Sequence, residues 1–429
     1  MSYFRSFLLG AFAIFIVFLS GCTALPPLLE SIANRVVEKP PYSVSQEAQI
    51  LHDELFIVDL HADPLFMGRD LTEEASYSHI DLPRLLKANV ALQAFTVWTA
   101  GRYPASPDGW EVAGFFLRFF PDWPVESFHS LFERAKFQAG RLFDLEEKWN
   151  AMDNEWNRAC HKNYPNIKTF RVIKNRIDLE KFLEDRKKCP HILAGYLGIE
   201  GAHAVDGKAE NVKKLYDEGY RMMSLTHMFD NKLGGSSEGS RREGITELGR
   251  SVIDEMLDAK DAKGPWIIDL AHASPELMDD IAEITQKKAP KTIFVSSHTG
   301  VKGIIQDRVN CDYSRQIGDR HIRLIAKSGG VVSIGFGARF HCKSDVESIV
   351  NAIRHTIDAI DSANIPGVQG INHIGLGSDF DGGVKPPFDV TGLPKLTEAL
   401  LKDGFTNAEI HKIMGGNSLR VLTEALPRK

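Results

Sequence analysis

Histidine and carboxylate side chains follow six of the short apolar segments in this sequence. Imidazole and carboxylate groups are typical ligands of catalytic zinc. His61 and Asp63 are two residues apart, so both would point the same way from an extended strand and could reach one ion together. One such motif is a weak signal, but six of them predict a metal centre. The candidate residues are His61, Asp63, Glu200, His227, His272, His298 and Asp379.

Eight short β-rich apolar segments would carry these residues, and most are separated by segments with helical periodicity. Alternating strands and helices imply parallel strands, and eight repeats favour a closed (β/α)8 barrel over an open doubly wound sheet. In such a barrel the carboxyl ends of the strands meet at the catalytic face. The predicted strands are Phe56–Leu60, Ala91–Trp98, Ile192–Ile199, Tyr220–Thr226, Trp266–Leu270, Thr292–Ser296, Val331–Phe336 and Ile374–Gly377.

The connection between the second and third predicted strands is unusually long. It covers residues 101–189, is rich in aromatic residues, and is predicted to contain a helix over Ser127–Met152. We interpret it as an elaborated βα connection on the catalytic face. The barrel domain would then be a single unit over residues 46–429.

Three local patterns predict helix ends. Ser274 followed by Pro275 is typical of an N-cap with a first-turn proline. Thr406 and Glu409 have the spacing of a capping box for the last helix. The Gly415-Gly416 pair is expected to end that helix.

The remaining histidines do not follow the ends of predicted strands, where the candidate metal ligands lie. His203 lies just past Glu200, and His373 lies just before the eighth strand, so each could at most support the metal ligands. The others fall in predicted helices, loops or strand starts, where packing or surface roles are expected. They are His52, His79, His129, His161, His191, His321, His355 and His411.

The first residues have the pattern of an export signal. One arginine precedes the apolar run Phe7–Leu19, which is shorter than the roughly 20 residues that span a bilayer. Leu19-Ser20-Gly21-Cys22 resembles the lipobox of bacterial lipoproteins, in which the cysteine is lipidated. The sequence thus predicts a signal peptide over 1–21 and a tether and leading segment over 22–45. The alternatives are an ordinary signal peptide or an uncleaved anchor.

The second residue of the mature chain would be Thr23 rather than aspartate, which favours the outer membrane, facing the periplasm. The net charge of −6 gives no basic field for nucleic acid, so membrane contact is expected only through the lipid anchor. Apart from Cys22, the cysteines are even in number and form no CxxC pair, which predicts structural disulfides rather than a zinc knuckle. They are Cys160, Cys189, Cys311 and Cys342.

These motifs, in this order, resemble the membrane (renal) dipeptidase family of amidohydrolase-like barrels. The resemblance extends from about Leu51 to Leu422 and is weakest across the long second connection. It is strongest in Gly198-Ile199-Glu200-Gly201-Ala202-His203, Tyr220 to His227, Ile268 to His272 and Gly375 to Gly382. Gly415 to Val421 also looks like the family's C-terminal motif.

The resemblance implies two zinc ions, one bound by His61 and Asp63 and the other by His272 and His298, with Glu200 bridging them. Two such ions can hold a bridging water and lower its pKa to near 7, giving a hydroxide that attacks the peptide carbonyl. By the same resemblance, His227 stabilises the oxyanion. The position of Asp379 would let it orient the hydroxide and carry its proton to the leaving amine.

The resemblance also implies the substrate, namely dipeptides, including those with a C-terminal D-residue. A free carboxylate suits an arginine clamp, for which Arg315 is preferred and Arg308 is the competitor. Two alternatives stay open: a related two-metal barrel hydrolase that acts on lactones or N-acyl amino acids, and a non-catalytic binding lipoprotein. Family members are often homodimers, so a second copy of the chain is a candidate partner.

The disulfide pairing follows from the resemblance too. Cys311 and Cys342 fall where relatives have a disulfide. This leaves Cys160 and Cys189 as the other candidate pair, without support of that kind.

Overall fold

The computed structural model describes residues 25–103, 110–118, 122–257, 266–306, 309–310 and 312–428. The predicted signal peptide, Cys22, Arg308 and Cys311 lie outside these ranges. None of the helices within them has the length and apolar character that crossing a membrane requires.

Eight parallel strands close into a barrel, as the alternating pattern predicted. Neighbours in sequence are neighbours in the barrel, and the first strand pairs with the eighth at the register of Asp59 and Leu376. The first four strands are buried on both faces, which agrees with their largely apolar sequences. The strands are β1 Ile57–Ala62, β2 Val90–Val97, β3 Leu193–Ile199, β4 Tyr220–Ser224, β5 Ile267–Asp269, β6 Phe294–Thr299, β7 Val331–Ile334 and β8 Ile374–Leu376.

Helices connect the strands and surround the barrel. The α-helices are α1 Leu25–Ala33, α2 Gln46–Glu54, α3 Leu82–Lys87, α4 Ala113–Leu117, α5 Leu131–Ala151, α6 Glu155–His161, α7 Arg176–Lys188, α8 Asn211–Asp217, α9 Glu247–Leu257, α10 Pro275–Lys288, α11 Asp319–Lys327, α12 Ala338–His341, α13 Val346–Asp361, α14 Leu393–Lys402, α15 Asn407–His411 and α16 Asn417–Ala425. Among the described residues, 3-10 helices span Val125–Phe128, Ala202–Val205, Gly370–Asn372 and Val390–Gly392. A π-helix covers Lys412–Gly416.

The long second connection contains the predicted helix, which is α5, and also a ninth strand of the barrel sheet that the sequence patterns did not predict. Among the described strands, two short antiparallel pairs lie outside this sheet: Arg102–Tyr103 with Trp110–Glu111, and Ile305–Gln306 with Val309–Asn310. The ninth strand, Phe170–Val172, pairs in parallel with the first half of β3, while β4 pairs with the second half. Three residues are too few for a β-periodicity to be recognised. A disulfide between Cys160 and Cys189, with Cα atoms 5.6 Å apart, joins α6 to the end of α7 and confirms that candidate pair.

The helix-end predictions are confirmed at all three positions. Ser274 caps α10 by accepting a hydrogen bond from the Leu277 amide, and Thr406 and Glu409 form the capping box of α15. The helix that begins at Thr406 is interrupted at Gly415, whose φ of 177° and ψ of −23° are not helical, so the predicted helix end is confirmed there. It is not the last helix, however, because α16 follows directly after this kink. Gly415 is needed there for another reason: a Cβ at this position would lie 1.9 Å from the Phe56 carbonyl oxygen.

The segment ahead of the barrel packs against it. Helix α1 lies within the predicted tether and leading segment, and its Glu30 side chain is buried. The backbone amides of Val37 and Glu38 then donate to the carbonyls of Pro386 and Pro387, each at 2.9 Å. The chain therefore reaches the catalytic face of the barrel before it enters β1.

Candidate metal centre

The carboxyl end of β1 contributes two of the candidate ligands. His61 is fully buried in β1, and Asp63 follows directly after the strand. The spacing of two residues brings His61 Nε2 to 3.4 Å from Asp63 Oδ2. The Asp63 amide donates to the Phe380 carbonyl at 2.9 Å, which fixes this pair against the loop after β8.

Glu200 lies at the centre of the cluster, immediately after β3. Its Oε1 atom is 3.5 Å from His61 Nε2, 2.9 Å from His272 Nε2 and 3.2 Å from His298 Nε2. Its other oxygen, Oε2, is 3.3 Å from His227 Nε2. One carboxylate thus contacts imidazoles from four different strand ends, which agrees with a bridging position.

His272 and His298 form the opposite side of the cluster. Their Nε2 atoms are 3.1 Å apart, although the residues follow β5 and lie within β6, respectively. His272 has a φ of 61°, a conformation that is uncommon for a residue with a side chain. Backbone strain of this kind persists only where the surroundings hold it, and it concentrates at functional sites.

Asp379 has the same left-handed conformation, with a φ of 62°, and its Oδ1 lies 3.9 Å from His61 Nε2. The loop that follows approaches so closely that only glycine fits at residue 382. A Cβ on Gly382 would lie 2.1 Å from Asp379 Oδ1 and 3.0 Å from Asp63 Oδ2. The Gly-Ser-Asp-Phe-Asp-Gly sequence therefore wraps the chain tightly around these two carboxylates.

Hydrogen bonds to Nδ1 orient three of the four imidazoles. Ser297 Oγ donates to Asp269 Oδ2 at 2.6 Å, and the same oxygen lies 3.0 Å from His61 Nδ1 and 3.1 Å from His298 Nδ1. His272 Nδ1 lies 3.0 Å from Glu238 Oε2. A proton held on Nδ1 leaves Nε2 free to bind a metal.

His227 differs from these three. Its Nδ1 atom is buried and has no hydrogen-bond partner among the described residues. The ring is therefore not oriented in the way that is typical of metal-binding histidines. This supports a role other than that of a ligand.

Like Ser297 and Asp269, Ser378 and Asp59 form a hydrogen-bonded serine–aspartate pair. This second pair lies on the β1/β8 side of the cluster, which carries His61, Asp63 and Asp379. Ser378 Oγ donates to Asp59 Oδ2 at 2.6 Å, and the Ser378 amide donates to Asp59 Oδ1 at 2.9 Å. The His61 amide also donates to Asp59 Oδ1, at 3.3 Å. Asp59 thus ties the strand that carries His61 to the one that leads into Asp379.

Arg315 lies beside the cluster, and Arg308 lies outside the described residues. Arg315 is 4% exposed and donates through a terminal guanidinium nitrogen to the His298 carbonyl at 2.8 Å. Its Nε lies 3.9 Å from Glu238 Oε2, so Glu238 faces both this arginine and His272. The sequence patterns missed Glu238 because it comes from a loop without periodicity, well beyond the end of β4.

The electrostatics indicate a site that favours cations. Burial lowers the pKa of His61, but the carboxylates of Asp63 and Glu200 outweigh it and raise that pKa to about 10. Burial raises the pKa of Asp379 to about 7, with the charge of Asp63 adding to it against the pull of His61. Burial and the charge of Arg315 lower the pKa of His272 well below its usual range.

The donor set fits divalent metal ions. His61 Nε2 and Asp63 Oδ1 are buried without hydrogen-bond partners among the described residues, and buried polar atoms normally have one. Three overlapping groups have ligand atoms within 4.8 Å of one another. These groups are His61, Asp63 and Glu200; Glu200, His227 and His272; and His61, His298 and Asp379.

A cavity of about 300 Å³ opens above the cluster. Phe66 and Trp98 stack with their ring centroids 4.0 Å apart and form an apolar part of its wall. Every predicted site residue within the described ranges lies at this cavity, except His61, which is buried beneath it. The cavity is lined by Ala33, Asn34, Asp63, Phe66, Met67, Trp98, Ala100, Gly101, Glu200, His227, Met228, His272, His298, Arg315, Arg339, Phe340, Asp379, Asp381, Gly382 and Gly383.

The two ambiguous histidines have packing roles. His373 lies 2.8 Å through Nδ1 from the Gly330 carbonyl, at the amino end of the barrel. His203 packs against Phe229, with ring centroids 5.0 Å apart, and lines a neighbouring cavity instead of the one above Glu200. Cys342 is disulfide-bonded, and its predicted partner Cys311 lies outside the described residues.

The chain belongs to the membrane dipeptidase family, peptidase family M19, whose profile matches residues 45–427. It is 29% identical over 240 residues to the dipeptidase aclJ of Aspergillus oryzae, an alignment that covers 54% of this chain and 52% of the fungal protein. An uncharacterized dipeptidase of Schizosaccharomyces pombe is 29% identical over 238 residues, covering 53% and 52%. The chain thus spans about half the length of these curated relatives.

Solved structures share the fold. A metallopeptidase from Rhodobacter sphaeroides, liganded with a phosphinate mimic of the dipeptide L-Ala-D-Ala, has a TM-score of 0.62 at 22% identity and covers 87% of this chain and 99% of its own. The M19 dipeptidase AC gives the same TM-score and coverage at 21% identity. These likenesses agree with the closed eight-stranded barrel.

Proposed function

We propose that this protein is a zinc-dependent dipeptidase that hydrolyses dipeptides, including those with a C-terminal D-residue. The observation that carries the proposal is the position of Glu200, whose Oε1 atom lies within 3.5 Å of three imidazole nitrogens at the bottom of the cavity. Family membership supports the reaction class. The cavity volume of about 300 Å³ suits a small ligand rather than a folded chain.

We propose that two zinc ions bind here, with Glu200 shared between them. His61 and Asp63 would hold one ion, and His272 and His298 would hold the other, because each pair comes from one side of the barrel mouth. Imidazole and carboxylate donors suit zinc. When bound, zinc supplies a nucleophile from water at neutral pH and positive charge for the carbonyl oxygen.

The protein's own groups would then orient the reactants and move the proton. Asp379 Oδ1, next to His61 and beneath the tight Gly382 loop, is positioned to accept the proton of the attacking water and return it to the departing amine. His227, whose Nε2 faces the cluster from outside the two ligand pairs, would donate to the oxyanion.

Arg315 would bind the free carboxylate of the substrate. Its guanidinium is buried and fixed by the His298 carbonyl, so it is held ready for an anion beside the metal ligands. The apolar wall of Phe66 and Trp98 also favours a second candidate, a related hydrolase of N-acyl amino acids or lactones. An acyl chain would pack there, whereas a lactone would leave Arg315 without a partner.

A substrate panel tests these alternatives. Zinc-loaded protein should hydrolyse L-Ala-L-Ala and L-Ala-D-Ala, should act poorly on the C-terminal amide of L-Ala-D-Ala, and should leave N-acetyl-D-alanine and a simple lactone nearly intact. Turnover of the acylated amino acid or the lactone at rates above those of the dipeptides would favour the alternative hydrolase. Equal turnover of the amide and the acid would contradict the carboxylate clamp.

We also propose that the chain is an exported lipoprotein, attached through Cys22 to the outer membrane and facing the periplasm. The support is the short apolar run Phe7–Leu19 ahead of a lipobox-like sequence. Cys22→Ser should abolish incorporation of labelled fatty acid and release the protein from the membrane fraction or leave it unprocessed. A wild-type protein recovered unmodified in the cytoplasm would contradict export.

A further inference from the structure

Residues ahead of the family match contribute to the substrate cavity. The matched region begins at residue 45, yet Ala33 and Asn34 line the same cavity as Glu200 and Arg315. Ala33 is the last residue of α1, and its side chain is exposed to the cavity mouth. The leading segment is thus part of the wall of the site and not only a connection to the barrel.

An ion-pair chain holds α1 in this position. Glu30 is 2% exposed and accepts from Arg69 Nε at 2.9 Å. A terminal nitrogen of Arg69 donates in turn to Asp381 Oδ2 at 2.7 Å. Removing one member of a buried charge network leaves the others unpaired, which is costly, so the network fixes α1 against the loop after β8.

Asn34 adds a direct contact with the same loop. Its Oδ1 accepts a hydrogen bond from the Gly383 amide at 3.0 Å, next to Gly382, which packs against Asp379 and Asp63. Asn34 is 4% exposed. The wall formed by Ala33 and Asn34 therefore lies on the β1/β8 side of the mouth.

Arg315 lies at a different part of the mouth from this wall, because it is fixed to His298 of β6, two strands around the barrel from β8. A dipeptide is a zwitterion, with a negative carboxyl end and a positive amino end. Because Arg315 holds the carboxyl end near β6, the amino-terminal residue is left to the part of the cavity on the β1/β8 side. A bound dipeptide would thus extend its amino-terminal residue towards Ala33 and Asn34.

We infer that Ala33 and Asn34 determine specificity for the amino-terminal residue of the substrate. The inference rests on the proposed dipeptidase function and extends it. The small side chain of Ala33 leaves room for the substrate's side chain at the mouth, and Asn34 closes the cavity beside it. The leading segment, which lies outside the family match, then adjusts this barrel to its own set of dipeptides.

Two neighbouring substitutions test the inference in the full mature chain. Ala33→Phe fills the cavity mouth, whereas Ile32→Phe adds a ring at the adjacent residue, which is 51% exposed and does not line the cavity. For L-Leu-D-Ala, Ala33→Phe should raise KM by at least about 10-fold, a typical effect of misfit in an apolar pocket. For Gly-D-Ala, which has no amino-terminal side chain, the change should stay within about 3-fold.

Binding and metal content provide readouts beside turnover. By calorimetry, Ala33→Phe should weaken binding of a phosphinate mimic of L-Leu-D-Ala by a similar factor, while Ile32→Phe should bind it like the wild type. Zinc content should be equal in all three proteins. If both variants behave alike, or if Gly-D-Ala is affected as much as L-Leu-D-Ala, the inference is wrong and the dipeptidase function stands. If the wild type hydrolyses neither dipeptide, the specificity inference and the proposed dipeptidase function are both contradicted.

Discussion

The β1/β8 side of the metal centre carries the carboxylates Asp63, Asp379 and Asp381, whereas the β5/β6 side carries His272 and His298 beneath Arg315. On the first side, burial and neighbouring charge raise the pKa of Asp379 to about 7. On the second, burial and nearby positive charge lower the pKa of each histidine well below its usual range. One side thus favours added positive charge, and the other provides neutral imidazole ligands and a site for an anion.

Both sides nevertheless have the same kind of supporting hydrogen bond beneath the candidate ligands. A buried aspartate receives a hydrogen bond from a serine at 2.6 Å on each side, in the pairs Asp59–Ser378 and Asp269–Ser297. The difference lies in what the serine reaches next: Ser378 contacts backbone, whereas Ser297 contacts imidazoles of both sides. Charge is thus divided between the two sides, while Glu200 and Ser297 each contact residues of both.

The largest effect is expected from Glu200→Gln, because the Glu200 carboxylate lies against the Nε2 atoms of both ligand pairs. Loss of the carboxylate should reduce zinc below two ions per chain and lower kcat/KM on the order of 1000-fold. Glu238→Gln is the matched control, since Glu238 contacts His272 but not His61. Metal analysis and steady-state kinetics check this, and a Glu200→Gln variant with two zinc ions and normal turnover would refute the bridging position.

Arg315→Ala should give the next largest loss of activity. It changes the β5/β6 side only, where Arg315 lies. Loss of a guanidinium–carboxylate pair costs about 2–5 kcal/mol, so kcat/KM for L-Ala-D-Ala should fall by roughly 30-fold or more. Zinc content should not change, because Arg315 faces substrate and not metal. Arg308→Ala should be near normal. An essential Arg308 with a dispensable Arg315 would mean that the clamp is misassigned, although the metal centre would stand.

Ser297→Ala should have a smaller effect, namely a loss of zinc affinity on both sides of the cluster. Without the serine oxygen, His61 and His298 lose the partner of Nδ1, and zinc affinity should fall by about 10- to 100-fold. Ser333→Ala is the control, since Ser333 is a buried serine of β7 whose hydroxyl has no hydrogen-bond partner among the described residues. Competition with a chelator measures the affinities, and equal values for the two variants would contradict the joining role of Ser297.

The parts of the fold that depend on periodicity could be predicted from the sequence. All eight barrel strands overlap their predicted ranges, and the residues that follow them meet around Glu200, because the carboxyl ends of barrel strands share one face. The predicted capping box at Thr406 was likewise a local pattern.

The remaining features depend on tertiary contacts that no local pattern encodes. Glu238 contacts His272 across 34 residues of sequence, and Asn34 is held at the cavity by the Gly383 amide and by the nearby Glu30–Arg69 pair. The left-handed backbone of His272 is likewise held by the surrounding structure. These contacts join residues that are far apart in sequence.

Under the proposed function each side holds one zinc ion, and turnover requires both ions. Zinc can be titrated into chelator-treated protein, with L-Ala-D-Ala hydrolysis measured at each addition. This two-ion requirement predicts little activity up to one equivalent and full activity at two, with no further gain beyond. Full activity at one equivalent, or activity that persists in the metal-free protein, would contradict it.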